Sequence, residues 1–340
     1  MDPVAVRFVR GETVESVHRV SLAVADAKGR LAATFGNPRL VTFLRSAAKP
    51  MQLLPLVESG AADRFGFTPK ELAIMAGSHS GEAEHVATVA GILGKIGLRE
   101  DALQCGRHAP YNKEAAEKVG EGFTALHHNC SGKHSGMLAL ATHLGADPRT
   151  YLALDQPVQQ AILNAVAKEC GLAPGAIPLG VDGCGVPSFA VPLSAAARAF
   201  ARLADPAGLA GGRGEVLQRI RDAMVSHPEM VAGTNRLDTD FMNAVPGKLI
   251  VKAGAEACYG AALVGRGLGV CIKVEDGNPR AVGPVLVRVL EHFGLMSRAQ
   301  KESVATHWNE PIRNVAGRVV GRIECDFELR TPGRVVAASA

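Results

Sequence analysis

Ser46-Ala47-Ala48-Lys49-Pro50 is the stretch on which the fold turns. A serine and a lysine three apart on a helix lie on one face, within hydrogen-bond reach of each other. Proline is tolerated in a first helical turn, so Pro50 places Ser46 and Lys49 at the mouth of a helix reaching about Ser59. Pro55 then forces a kink or a restart. A serine hydroxyl becomes a nucleophile when a base takes its proton, and a buried lysine serves once desolvation or a second cation lowers its pKa. Taken alone, Ser-x-x-Lys suits a solvated helix end equally well.

Two more motifs follow in order. Gly77-Ser78-His79-Ser80-Gly81-Glu82 succeeds the apolar Ala73-Ile74-Met75-Ala76, so backbone N–H groups there can face a pocket. A helix stop, with Ser80 and Glu82 opening the next helix, fits the same residues. Far downstream, Lys252-Ala253-Gly254 leaves the apolar Leu249-Ile250-Val251. Such a lysine projects across a cleft or simply blunts a sheet edge. Ser-x-x-Lys, then Ser-x-Ser, then a late Lys-x-Gly is the chain order of the serine β-lactamase and penicillin-binding group. The middle motif lacks that group's Asn and the last lacks its Thr, which points to a relative with a different substrate.

The elements around these motifs agree. Apolar runs over 4–9, 17–24 and 30–35 predict strands, the last two joined by a glycine turn at 26–29. Helical spacing covers 69–75, 82–93, 136–144, 158–168 and 193–203, with a loop over 205–214. Strand patterns return at 248–252, 258–264, 269–274 and 319–329, interrupted by a helix over 283–293. An α/β (α+β) chain follows, with an antiparallel sheet built from both chain ends and an inserted helical lobe. The expected organisation is one domain over 1–340, its sheet lobe about 1–45 and 225–340 and its helical lobe about 46–224.

Composition narrows the function. With 340 residues, 47% apolar and 21% charged, the chain has the makeup of a globular protein with a sizeable core. Aromatics are 4%, with the single tryptophan Trp308, so stacking platforms for nucleic acid are not expected. The net charge of +4 is scattered, without the basic run that tracks a phosphate backbone. No basic leader opens the chain and no apolar run reaches the roughly 18 residues of a membrane span. Seven cysteines, an odd number without a dense framework, fit a reducing cytoplasm.

A fourth constellation, His127-His128-Asn129-Cys130-Ser131-Gly132-Lys133-His134, is dense in metal-capable groups. Asp182-Gly183-Cys184-Gly185-Val186-Pro187 adds a thiol in a glycine turn. Zinc chemistry alone suggests Cys130, Cys184 and one histidine with an open position, whereas two unrelated core thiols are the plainer alternative.

Together with His227-Pro228-Glu229-Met230-Val231-Ala232-Gly233-Thr234, these motifs resemble the L-asparaginase II family, the rhizobial-type, serine β-lactamase-like class. The resemblance runs from about Val17 to about Arg330. It implies hydrolysis of L-asparagine to L-aspartate and ammonia, without nucleic acid or membrane, by a homodimer. Carried over by position, Ser46 pairs with Lys49 and Ser78 with Lys252 as catalytic residues. The family's zinc site falls on Cys130, Lys133 and Cys184, with Lys133 taking the place of a histidine ligand. Arg45, Ser80, His134 and Asp182 are the substrate-binding candidates. The expected chemistry is acyl transfer from Ser46, with Lys49 as base, Lys252 keeping Lys49 neutral and Ser78 passing a proton to ammonia. Backbone N–H groups near Ser46 are expected to hold the oxyanion. A glutaminase, a β-lactam hydrolase and a non-catalytic zinc or amino-acid sensor are the rival readings.

Overall fold

In the computed structural model, which describes residues 2–331, both chain ends build one antiparallel sheet. Eleven strands are present: β1 (Val4–Arg10), β2 (Thr13–Asp26), β3 (Leu31–Phe35), β4 (Val41–Phe43), β5 (Leu179–Val181), β6 (Pro187–Pro192), β7 (Leu249–Gly254), β8 (Cys258–Leu263), β9 (Leu268–Val274), β10 (Ile312–Arg313) and β11 (Val319–Cys325). The main sheet runs β10-β11-β1-β2-β9-β8-β7, with β3 also on β2. Long β2 is the spine. Its first half pairs with β1, and its second half with β3 and β9.

Residues Val20–Ala25 of β2 are buried throughout, the mark of a strand covered on both faces. The helix Leu193–Ala204 packs on β2, β8 and β9. Gly269 of β9 permits that approach, since a Cβ there would stand 2.0 Å from the Ala197 carbonyl oxygen. The sequence assigns 193–203 to the helical lobe; the structure lays it on the sheet. Its apolar stripe, with Ala196, Ala197 and Phe200 buried, finds a floor of small residues there. The helix Val282–His292 packs against β1 and β11.

A second, three-stranded sheet in the order β4-β6-β5 was not expected. Two of its strands are three residues long, too short to show a period. The helix expected over 46–59 is broken as well. Arg45–Ala48 forms a tight 3-10 turn, Lys49–Gln52 a single helical turn, and Leu54–Glu58 restarts at Pro55. The last strand stops at Cys325 rather than 329. Among the described residues no helix is long and apolar enough to cross a membrane.

Candidate active site

Three segments meet between the two sheets. The first is the turn at Arg45–Ala48, delivered by β4, whose pairing with β6 extends through Leu44 N–H to Phe189 O at 3.0 Å. The end of β7 lies directly on it. A Cβ on Gly254 would come within 2.5 Å of Leu44 O and 3.2 Å of Ala47 N, so only glycine fits.

The second segment is the loop 77–81. It follows the helix Pro69–Met75, which a capping box of Thr68 and Glu71 fixes at its start. Ser78 N–H is bound to Val231 O at 2.7 Å, and His79 ties the loop to the start of the helix Ser131–Leu144. Gly81 N–H donates to His79 Nδ1 at 3.2 Å, so His79 Nε2–H donates to Ser131 Oγ at 2.9 Å. The third segment is β7 itself. Lys252 stands inside this strand rather than at its end, and is fully buried.

These segments converge on one hydroxyl. Lys49 Nζ donates to Ser78 Oγ at 2.8 Å, and Lys252 Nζ donates to the same oxygen at 2.9 Å. Both lysines are 0% exposed and Ser78 is 5% exposed. Lys49 also bonds Gly77 O at 2.7 Å and Asn129 O at 3.2 Å, while Lys252 bonds Ala253 O at 2.7 Å. Burial is the main force pulling Lys252 down to about 7; nearby Asp238 opposes it, and Lys49 and Arg236 reinforce it. Burial likewise lowers Lys49, against the pull of Cys130 and with help from Lys133. Repulsion between the two amines acts on both, and Lys133 adds a further cation beside Lys49.

Ser46 is half-buried and its hydroxyl makes no side-chain hydrogen bond, so the expected contact with Lys49 is absent. The two residues straddle the junction between the 3-10 turn and the next helix, and the lysine reaches across to Ser78 instead. Ala47 N–H is bound to Leu44 O at 3.0 Å, which removes one expected oxyanion donor.

Beside this centre lies the sulfur cluster. Lys133 Nζ donates to Cys184 Sγ at 3.0 Å. A hydrogen bond with Cys184 draws Cys130 well below its usual range despite burial, with Lys49, Lys133 and His128 assisting. The same bond and burial push Cys184 up, so the two thiols hold one proton between them. For Lys133, burial acts downward, yet Cys130 and Cys184 outweigh it and the amine ends above its usual range.

A histidine does not complete the cluster. Among the described residues no three of His, Cys, Asp and Glu gather to hold a metal ion. His128 takes the Cys130 N–H at 3.0 Å. His134 faces Tyr151, whose hydroxyl accepts Gln104 N–H at 3.0 Å and therefore donates to His134 Nδ1 at 2.6 Å. That leaves the proton of His134 on Nε2, buried and without a partner.

The other binding candidates divide. Arg45 and Asp182 pair with each other, Nε and Nη2 reaching Oδ1 at 3.0 and 2.9 Å. Ser80 stands at the wall of a cleft but is itself engaged. It is 0% exposed, donates to Ala232 O at 2.8 Å and accepts from Arg236 Nη1 at 3.3 Å. Sequence reasoning missed His79, which sits unassigned inside a motif it had singled out. It also missed Arg236 and Asp238, just past the last quoted motif, where Asp238 Oδ1 accepts Ala253 N–H at 2.6 Å. No local pattern marks either one.

The antiparallel sheet built from both chain ends, with helices inserted between them and two buried lysines around a serine, defines a mixed α/β protein. More narrowly, the chain belongs to the L-asparaginase II family, whose model matches residues 6–325. No curated protein matches the sequence. Among solved structures it is similar to native Mglu at high salt, with 18% identity over 82% of this chain and 62% of that one, and a TM-score of 0.37. It is also similar to a β-lactamase from Mycobacterium bovis, with 12% identity over 75% of this chain and 86% of that one, and a TM-score of 0.40. Scores at this level carry no chemistry across. The chain spans 62% of the length of that Mglu structure.

Proposed function

We propose that this protein hydrolyses the side-chain amide of L-asparagine through a serine ester. One observation carries the reading: two fully buried amines hold a single hydroxyl, at 2.8 and 2.9 Å. A hydroxyl has one proton, so it can donate to one amine only while that amine is neutral. Burial of both lysines makes a neutral amine affordable near neutral pH.

Ser46, accessible and unbonded, attacks the amide carbon. Its proton goes to Lys49, whose amine comes within reach of Ser46 as substrate arrives while keeping its contact with Ser78; catalytic hydrogen bonds often tighten only in the complex. Ser78 takes the proton from Lys49 and gives its own to the leaving nitrogen, so ammonia departs with the charge balanced. Lys252 holds Ser78 in line throughout. Water then opens the aspartyl ester by the same route in reverse.

Cys130, Lys133 and Cys184 suit a zinc ion by donor type, two sulfurs and a nitrogen brought together in a buried corner. Lys133 would have to release its proton first. A zinc ion bound there supplies Lewis-acid attraction for a polar end of the substrate. The unpartnered Nε2–H of His134 and the Arg45–Asp182 pair would complete the binding wall. Seven free thiols, six of them buried, support the reducing cytoplasm expected from the sequence. The homodimer stays part of this reading, with light scattering as its check.

The test is ammonia release from L-asparagine, L-glutamine and a chromogenic cephalosporin, with Ser46→Ala as control. Asparagine turnover that falls roughly 10⁴-fold or more in Ser46→Ala is the expected result. Intact-mass trapping of an aspartyl ester on Ser78 instead would exchange the roles of the two serines. Turnover of cephalosporin alone would replace asparagine as the substrate.

A further inference from the structure

Arg236 is the one site cation whose charge the protein leaves open. Among the described residues it makes no ion pair, whereas Arg45 is held on Asp182 by two nitrogens. Its guanidinium is half-buried, lies over the Tyr111 ring at 5.5 Å, and donates one N–H to Ser80 Oγ at 3.3 Å. The remaining donors of the planar fork have no side-chain acceptor, and that fork matches a carboxylate.

Its position is built. Thr234 donates N–H and Oγ1–H to Glu82 at 2.8 and 2.9 Å, and Gly233 N–H bonds Thr239 Oγ1 at 3.2 Å. Asn235 takes the left-handed conformation at φ 59°, which turns Arg236 back toward Ser80. Two residues on, Asp238 is bound to the backbone beside Lys252, so Arg236 lies along the flank of the amine centre. Arg236 lines a cleft of about 500 Å³ there together with Ser80, Tyr111, Lys113 and the carboxylates of Glu114 and Glu117. Glu114 is engaged by Lys118.

We infer that Arg236 receives the α-carboxylate of the amino-acid amide and so makes the site select amides that carry that group. The inference rests on the amidohydrolase reading and adds the residue that sets its substrate class. Loss of a hydrogen bond to a charged group is worth about 10–100-fold.

The experiment compares kcat/KM for L-asparagine with that for 3-aminopropanamide, the same amide without its α-carboxylate. The wild type is expected to prefer asparagine strongly. In Arg236→Met that preference should shrink about 10–100-fold, and Arg236→Lys should fall between the two. A ratio of preferences cancels any general loss of active enzyme. A wild type that treats both amides alike, or an Arg236→Met that keeps the full preference, overturns the inference and leaves the hydrolase reading standing. Absence of ammonia from every amide removes that reading and the inference with it.

Discussion

Lys252 and Lys133 are buried alike, yet their amines move in opposite directions. Lys252 falls to about 7, while Lys133 rises above its usual range. Removal from water penalises the ammonium at both places, so burial alone cannot be the cause of the difference. What differs is the company. Around Lys252 stand a hydroxyl, a backbone carbonyl and the basic groups of Lys49 and Arg236, with Asp238 and, more weakly, Cys130 pulling the other way. Around Lys133 stands a thiol pair that has released one proton, and that negative charge holds the ammonium in place. The fold thus disfavours the ammonium form of one buried amine, which holds the serine, and favours it at another, which holds a thiol.

The sharpest way to break the comparison is to remove the amine whose ammonium form burial disfavours. Lys252→Met keeps the length and apolar body of the side chain but takes away the second hold on Ser78. A loss of roughly 10²–10⁴ in kcat is expected, the usual worth of a positioned acid–base group. In the unaltered protein, kcat/KM should rise with pH and level off as the coupled amines of Lys49 and Lys252 lose their first proton, Lys252 being lowered to about 7. The sign follows from the role: an amine that still carries its extra proton as ammonium cannot take the proton of a serine. A profile that is flat from pH 5 to 9 would show that no amine of this pair is the base.

Much of this arrangement was legible in the sequence, and the unreadable part has physical reasons. The long strands β2, β8 and β9 announce themselves as apolar runs, and the Lys252 singled out by the Lys-x-Gly motif lies against Ser78, though inside β7 rather than at its end. β4 and β5 escaped because three residues cannot display a period. The expected Ser46–Lys49 contact assumed one continuous helix. A change from 3-10 turn to helix between those residues alters the angle at which Lys49 leaves the chain. Arg236 and Asp238 escaped because their roles come from β7 and the 77–81 loop packing against them, which no local pattern records.

The proton-retaining side offers a smaller effect. Cys184→Ser removes one sulfur donor and the acceptor of the Lys133 amine. If these residues hold zinc, its affinity should fall by at least the roughly 10–100-fold that loss of a supporting group costs. Equilibrium dialysis with metal analysis measures this directly, and KM for asparagine should rise while kcat changes less. Equal zinc content in variant and wild type would take the metal away from this cluster.

The smallest effect lies in stability, where the lowered amine leaves a signature without any substrate. Lys252 binds its proton up to about pH 7 in the folded chain and up to about 10.5 once unfolded. Between those values the unfolded chain holds more protons, so the unfolding free energy rises with pH across this window. Below 7 both states are protonated, and the penalty for the buried ammonium is present in full. Thermal unfolding at pH 7, 8 and 9 should therefore show a midpoint that climbs in the wild type and climbs less in Lys252→Met. Only the difference between the two proteins matters, because other titrating groups are common to both. Parallel curves would mean that Lys252 keeps an ordinary affinity for its proton despite its burial, and the contrast with Lys133 would then collapse.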